Sequence, residues 1–357
     1  MRFLAFALLS FIALVVADTQ PSTTVTGDVP VITTADASFD GPKVGAINSS
    51  SFDWWYFDAV SQDGSIAVTI IFLRTIIFGN SPSASSVQFS IRNKNIKIDE
   101  GLAANTSTVN TDGFGANGIW SGVGTFNSTP DLSEYTVYLN TGSIEGSLSI
   151  NSIAPAHYPD GNPPGANANI AVSPGLYWTN AIPAGIANCK FTVNGQVISF
   201  QNGIGYHDHN WGGLILPMLI ETWYWGHATV GPYSFVWFDI ISTITGTRFS
   251  STFLVRNGEI IVASQNTPFA SSDDFTLVFP LGNGTDYPPT GNSNLPSAFL
   301  IDIVDDSNRW SFFAKAVDVT SNGFGGFYTR WIGTVSGGEI GGDLYCGSGV
   351  WEWMRFI

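Results

Sequence analysis

Three aromatic-rich clusters hold the side chains of this sequence that are equipped for chemistry. The first is Asp53-Trp54-Trp55-Tyr56-Phe57-Asp58. On an extended chain with a two-residue period, Asp53, Trp55 and Phe57 share one face while Trp54, Tyr56 and Asp58 share the other, so each face carries aromatics and one carboxylate. One face should line a cavity and the other should pack on core or solvent; the competing reading has both aspartates accepting backbone N–H bonds at strand ends. The second cluster, Gly205-Tyr206-His207-Asp208-His209-Asn210-Trp211-Gly212, holds two of the four histidines. His207 and His209 point the same way, with Asp208 opposed. Neutral imidazole both donates and accepts near pH 7, which suits acid/base work or hydrogen bonding to a polar ligand group. The alternative is a buried polar network that holds two domains together.

His227 could join His207 and His209 in a three-histidine metal centre, but no carboxylate ligand is convincingly placed and no metal is expected. The third cluster is Glu221-Thr222-Trp223-Tyr224-Trp225-Gly226-His227, followed by Tyr233, Trp237 and Asp239. Aromatic density of this kind usually means core, and it also walls concave sites for flat apolar ligands. Arg74 and Lys315, isolated on apolar strands, are expected to pair with carboxylates or to reach outward.

These clusters must be carried by strands. The 39 Gly, 18 Pro, 26 Phe and 12 Trp, with abundant Val, Ile and Thr, suit short strands joined by tight turns and are incompatible with long helices. From Phe52 onward, strand signals follow closely: DWWYFDAVS, SIAVTIIFLRTIIF after an Asp63-Gly64 turn, SVQFSIR, GIWSGVGTF, YTVYLNT and GSLSINS. A Pro/Gly/Asn-rich stretch from about Ala154 to Gly185 reads as a functional loop or lid. Strand signals resume with KFTVNGQVISF around an Asn194-Gly195 turn and continue to a closing GVWEWMRFI. No period of 20 to 50 residues recurs, which disfavours solenoids and propellers. The expected fold is all-β, with two antiparallel barrels or sandwiches packed together, residues 51–215 and 216–357, preceded by an extended arm over residues 18–50.

Composition bounds the function. Only 11% of the 357 residues are Asp, Glu, Lys or Arg, against about 25% in ordinary soluble proteins, so disorder is excluded. The net charge of −15 repels phosphate backbones and argues against nucleic acid and polyanionic ligands. Residues 1–17 combine Arg2, a short apolar run, and Val15 and Ala17 at the small positions of a cleavage site, the pattern of a secretory signal peptide. No second apolar segment is long enough to span a bilayer. Sequons at Asn48, Asn105, Asn127 and Asn283 fit a glycoprotein of the secretory pathway. Cys189 and Cys346, the two cysteines present, are expected to form one disulfide in that oxidising compartment. The sequence has no G-x-S-x-G elbow, H-E-x-x-H, phosphate-binding glycine loop or G-x-G-x-x-G opening a helix, which removes the main support for triad hydrolases, ATPases and nicotinamide enzymes. A two-carboxylate glycosidase and lipocalin-like binding of apolar small molecules both remain compatible.

The segments Asp53 to Ser61 (DWWYFDAVS), Gly203 to Gly212 (GIGYHDHNWG) and Trp223 to Ser234 (WYWGHATVGPYS) together resemble the hydroxyneurosporene-synthase-like family, which includes carotenoid hydratases and fungal Diels-Alderases. The resemblance runs over most of the chain. It implies two lipocalin-like β domains, a substrate pocket at or near their interface, and no cofactor. The leader and sequons look more like the hetero-Diels-Alderases of tropolonic sesquiterpene pathways, understood to dehydrate a hydroxymethyl-tropolone-type precursor to an ortho-quinone methide and to add it to a humulene-type alkene. Such chemistry needs a general acid at the departing hydroxyl, then orientation and exclusion of water. Asp53, Asp58, His207 and His209 are the candidates for acid or polarising hydrogen bonds, and Trp55, Tyr56, Asp208, Trp211, Trp223, Tyr224 and Trp225 the candidates for contacting an apolar terpenoid or polyketide-hybrid substrate. The competing functions are a hydratase or isomerase of a polyene and a non-catalytic terpenoid carrier.

Overall fold

Alternating side-chain patterns become two antiparallel sheets in a computed structural model that describes residues 17–77, 83–266, 274–306, 308–323 and 326–356. The leader expected over residues 1–17 lies outside the described residues except for Ala17. The first sheet runs, in spatial order, through Asp18–Pro21, Thr106–Asp112, Gly115–Trp120, Gly124–Ser128, Glu134–Asn140, Ile144–Ser152, Leu176–Val193, Gln196–Gly212, Phe52–Val60, Ala67–Arg74, Ser85–Arg92 and Lys97–Ala103, with Ala171–Ser173 paired to Leu176–Val193 off this path. It curls into a half-barrel. The second runs through Glu259–Asn266, Arg248–Arg256, Tyr233–Ser242, Ile220–Val230, Tyr345–Arg355, Tyr328–Glu339, Asn308–Gly323, Ala298–Asp305 and Phe275–Leu281. Here the C-terminal strand pairs with Ile220–Val230, which nearly closes a barrel. A single helical turn, Leu216–Leu219, with Pro217 in its first turn, lies between the sheets in sequence. Among the described residues no helix is long and apolar enough to cross a membrane.

The apolar side chains form three cores. One fills the half-barrel around Trp55, Phe57, Trp120 and Phe126; one fills the second barrel around Trp237, Phe312, Trp331 and Trp351; the third lies between the two sheets, around Trp54, Tyr56, Trp178, Trp223 and Trp225. Phe52–Val60 serves two of them at once, odd residues inward and even residues toward the other sheet, and every one of its residues is buried.

Several expectations change. The arm over residues 18–50 is partly sheet, since Asp18–Pro21 pairs with Thr106–Asp112, and its Phe39, Val44 and Ile47 are buried in the half-barrel core. The stretch expected to be a lid is strand from Leu176 onward. Pro183 is tolerated there because the ladder shifts register between Ile182 and Gly185, where a missing N–H breaks no regular pair. The polar strands Lys97–Ala103, with no buried residue, and Thr106–Asp112, buried at Ser107 and Val109, carry no apolar alternation and lie outside the expected strands.

The expected Cys189–Cys346 disulfide is not formed; both thiols are free. Cys189 points into the half-barrel core, whereas Cys346 is exposed on the C-terminal strand of the other sheet. Burial pushes the Cys189 thiol up to about 12. Of the four sequon asparagines, Asn105, Asn127 and Asn283 are exposed. Asn48 is buried, its amide donating to Gly27 O at 2.8 Å and its Oδ1 accepting from the backbone of Ser50 and Ser51, so a glycan there would have to break a satisfied network.

Candidate active site between the two sheets

The register of Gln196–Gly212 against Phe52–Val60 decides which side chains meet. Tyr206 lies opposite Asp58, Asp208 opposite Tyr56 and Asn210 opposite Trp54, all on the face toward the second sheet. That face lines a cavity enclosing about 900 Å³ of atom-free space, its opening to solvent included. Trp54, Tyr56, Trp223, Trp225 and Phe238 form aromatic walls, extended by Ile71, Leu73, Leu216 and Met354. Tyr56 meets Trp225 edge to face at 5.2 Å, and Trp223 meets Phe238 at 4.9 Å, which fixes the wall through ring quadrupoles as well as area.

Asp208 is the carboxyl that faces this cavity from within the His-Asp-His segment. Its Oδ2 accepts from Trp178 Nε1 at 2.8 Å and from the Tyr206 hydroxyl at 2.9 Å, and its Oδ1 accepts from Asn210 Nδ2 at 3.0 Å. Burial raises its pKa; the bonds from Trp178 and Tyr206 oppose the shift without cancelling it, and the result is about 8. A carboxyl protonated at neutral pH beside an aromatic-walled cavity is equipped as a general acid. Asn210 Oδ1 and Trp223 Nε1, also lining the cavity, are buried without hydrogen-bond partners.

A second polar group comes from the other sheet. The Tyr328 hydroxyl donates to Glu352, and Arg330 Nε donates to the same carboxyl at 3.3 Å. Burial raises the pKa of Glu352 against the pull of Arg330. None of these three was singled out in the sequence, although Glu352 between Trp351 and Trp353, and Arg330 beside Trp331, meet the same criterion of a charge set into an apolar strand. Asp58 lies behind the wall and is absent from the cavity lining. It accepts the Tyr56 hydroxyl at 2.6 Å and binds His227 Nε2 at 2.9 and 3.0 Å, and Tyr206 stacks on that imidazole at 4.5 Å.

The remaining acid candidates do not reach the cavity. Asp53, His207 and His209 share the opposite face of their strands, inside the half-barrel, with Trp55 and Trp211. His209 Nε2 lies 2.5 Å from Asp53 Oδ1, and His207 Nε2 lies 3.1 Å from Asp40 Oδ2. His207 Nδ1 donates to Tyr56 O at 2.9 Å, Tyr135 donates its hydroxyl to Asp40, and Asp53 accepts the backbone N–H of Lys43 at 3.0 Å. These bonds close on one another inside the half-barrel and none of these side chains lines the cavity, as the two-residue period requires: Asp208 and its histidine neighbours face opposite ways. His227 belongs to the second sheet and meets Asp58 on the other face of Phe52–Val60, so it does not join His207 and His209. Among the described residues no group of three His, Cys, Asp or Glu is arranged to hold a metal ion. Tyr224 packs inside the second barrel, stacked on Tyr287 at 5.7 Å, instead of lining the cavity. Arg74 pairs with Asp18, and Lys315 is exposed.

Comparison with known proteins gives a consistent setting. Residues 12–356 match the Diels-Alderase-like family. The chain is 31% identical over 343 residues to the quinolone epoxide rearrangement protein penF of Penicillium thymicola, covering 92% of this chain and 91% of that protein. It is 27% identical over 350 residues to the Diels-Alderase cheD of Chaetomium globosum, covering 92% and 81%. Among solved structures, CghA with Sch210972 superposes with a TM-score of 0.78 at 19% identity over 95% of this chain and 98% of that one, a likeness of fold.

Proposed function

The chain belongs to the Diels-Alderase-like family and is an enzyme of the cyclase and isomerase kind, and from that premise we propose that it dehydrates a hydroxymethyl-tropolone-type precursor to an ortho-quinone methide and directs its cycloaddition to a humulene-type alkene. The observation that carries this reading is Asp208, a carboxyl held protonated up to about pH 8, at the wall of an aromatic cavity. Its proton passes to the departing hydroxyl, the C–O bond breaks and water leaves. The adjacent ring hydroxyl gives up its own proton, which restores the carboxyl and leaves the quinone methide neutral. The alkene then adds across the oxygen and methide carbon, forming one C–O and one C–C bond with no further proton transfer. Trp54, Tyr56, Trp223 and Trp225 hold the two partners in a reactive orientation and keep out the water that would otherwise add to the intermediate. The apolar leader and the exposed sequons support synthesis in the secretory pathway as part of the same proposal.

A second reading, acid-assisted rearrangement of an epoxide, draws on the name of the relative penF, because a protonated Asp208 serves an epoxide oxygen as well as a hydroxyl. A mass-resolved product assay with the tropolone precursor and humulene, with chelator and without added cofactor, separates the possibilities. An adduct that has lost one water, formed faster and with narrower stereochemistry than in the enzyme-free control, is the expected result. Unchanged ligand that still protects the protein from thermal unfolding points to a carrier or to a cyclase of another substrate, a product heavier by water identifies a hydratase, and either sinks this cycloaddition.

A further inference from the structure

Arg330 is the single Lys or Arg among the described residues lining the cavity, and it is only 2% exposed. Its guanidinium carbon lies 5.0 Å from the centre of the Tyr56 ring and 5.4 Å from that of Tyr328. Nε is committed to Glu352, while Nη1 is buried with no hydrogen-bond partner. A guanidinium cannot lose its proton to relieve that cost, and an open N–H on a charged group is among the most expensive to leave unmet. The neighbouring phenol oxygens accept no hydrogen bond from Nη1; Tyr56 and Tyr328 meet the guanidinium with their rings.

The surroundings select the kind of acceptor. Asp99, Asp208 and Glu352 line the same cavity, and Asp58 stands behind Tyr56. Glu352 already matches the charge of Arg330, so a carboxylate or phosphate entering here would find no uncommitted cation and would sit beside Asp99, whereas a neutral conjugated carbonyl brings only partial charge to a single donor. We propose that Arg330 Nη1 forms an oxygen-recognition subsite that binds the ring carbonyl of a neutral, conjugated cyclic enone and polarises it toward reaction. This deepens the cyclase reading and rests on it. No bond to Arg330 is made or broken; its hydrogen bond draws electron density onto the carbonyl oxygen, which lowers the barrier to attack by an electron-rich alkene and strengthens as negative charge builds on that oxygen.

Tryptophan fluorescence titration can test the subsite with three simple probes: tropone as the neutral carbonyl, cycloheptatriene as the hydrocarbon of the same ring, and benzoate as the anion. The protein should bind tropone about tenfold or more tighter than cycloheptatriene, the scale of one hydrogen bond to a charged donor, and tighter than benzoate. The double variant R330M/E352Q removes the cation together with its carboxylate, so no unpaired buried charge is left to unfold the chain. With near-UV circular dichroism unchanged in both variants, the double variant should bind the hydrocarbon as before and lose the preference for tropone, while E352Q alone, whose amide oxygen can still accept from Arg330 Nε, keeps it. A preference that survives in the folded double variant, a wild-type protein that does not distinguish tropone from cycloheptatriene or binds neither, or a stronger affinity for benzoate would each overturn the subsite. Turnover distinguishes the two layers: product formed without carbonyl preference sinks the subsite and leaves the cyclase, and carbonyl preference without product sinks the cyclase and leaves the subsite.

Discussion

Asp208 and His209 are adjacent in the chain, point to opposite faces of one strand, and acquire opposite protonation behaviour from what they meet there. Asp208 faces the cavity with hydrogen-bond donors but no ion pair of its own, and burial carries its pKa up to about 8. His209 faces the half-barrel, where burial favours the neutral ring, but Asp53 and Asp40 outweigh it and hold the imidazole charged above its usual range. An acid step that uses the Asp208 proton should therefore slow as pH rises through about 8. Asp208→Asn should lower turnover by roughly 10²- to 10⁴-fold, the contribution of a positioned general acid, and abolish that pH dependence. The same group gives a sign for stability. Its folded pKa is raised from 3.8 to about 8, so its contribution is complete below the lower value and is lost as pH rises through the upper one. Urea unfolding from pH 4 to pH 9 should show a decline that is flatter in Asp208→Asn. A variant with undiminished turnover and the same pH profile would remove Asp208 from the mechanism.

At the scale of elements, the network inside the half-barrel fastens the segment around Asp40 and Lys43 to the strands that carry the site. Burial disfavours the Asp40 carboxylate, yet His207 and His209 more than compensate and hold its pKa well below the usual range. Its contribution is therefore present above the ordinary value of 3.8 and lost as pH falls through the folded value. The contribution of His209, whose pKa is raised from 6.5, is complete below that value and lost as pH rises through the folded one. Attachment of this segment should thus be firmest between about pH 4 and pH 6.5. Asp40→Asn, which leaves the paired histidines facing a neutral group, should cost about 3–5 kcal/mol in chemical denaturation at pH 5.5; a loss under about 1 kcal/mol would mean that the network does not hold the segment. The strand Phe52–Val60 also shows why the sequence did not say which face lines the cavity. Both of its faces are buried, so neither carries the polar alternation that would mark one side as solvent and the other as site.

For the whole molecule, the cavity exists because two sheets, each with its own core, lay their remaining apolar faces against a third. Contacts that define the site span large separations: Asp58 to His227 across 169 positions, and Asp99 to Ser321 across 222. The same separation of cores keeps the two cysteines apart. A thiol reagent should label one cysteine in the native protein, exposed Cys346, and both after unfolding, because Cys189 is buried with its thiol pushed up to about 12. No labelling in either state without reductant would restore the disulfide.

Local chemistry settled what depends on neighbours in the chain. Period-two patterning and turn residues identified an all-β chain, most of its strands and the three clusters, and parity alone already set Asp208 against His207 and His209. Partners between strands far apart in sequence were beyond such reasoning, because they follow from register and from the curvature that closes each sheet. Only the tertiary structure turned the even face of Phe52–Val60 toward the cavity, placed His207 and His209 in a buried hydrogen-bonded network with Asp40 and Asp53, and brought Arg330 and Glu352 across from the second sheet. The physical reason is that a strand's faces are defined by its own backbone, whereas their environment is defined by whatever packs against them.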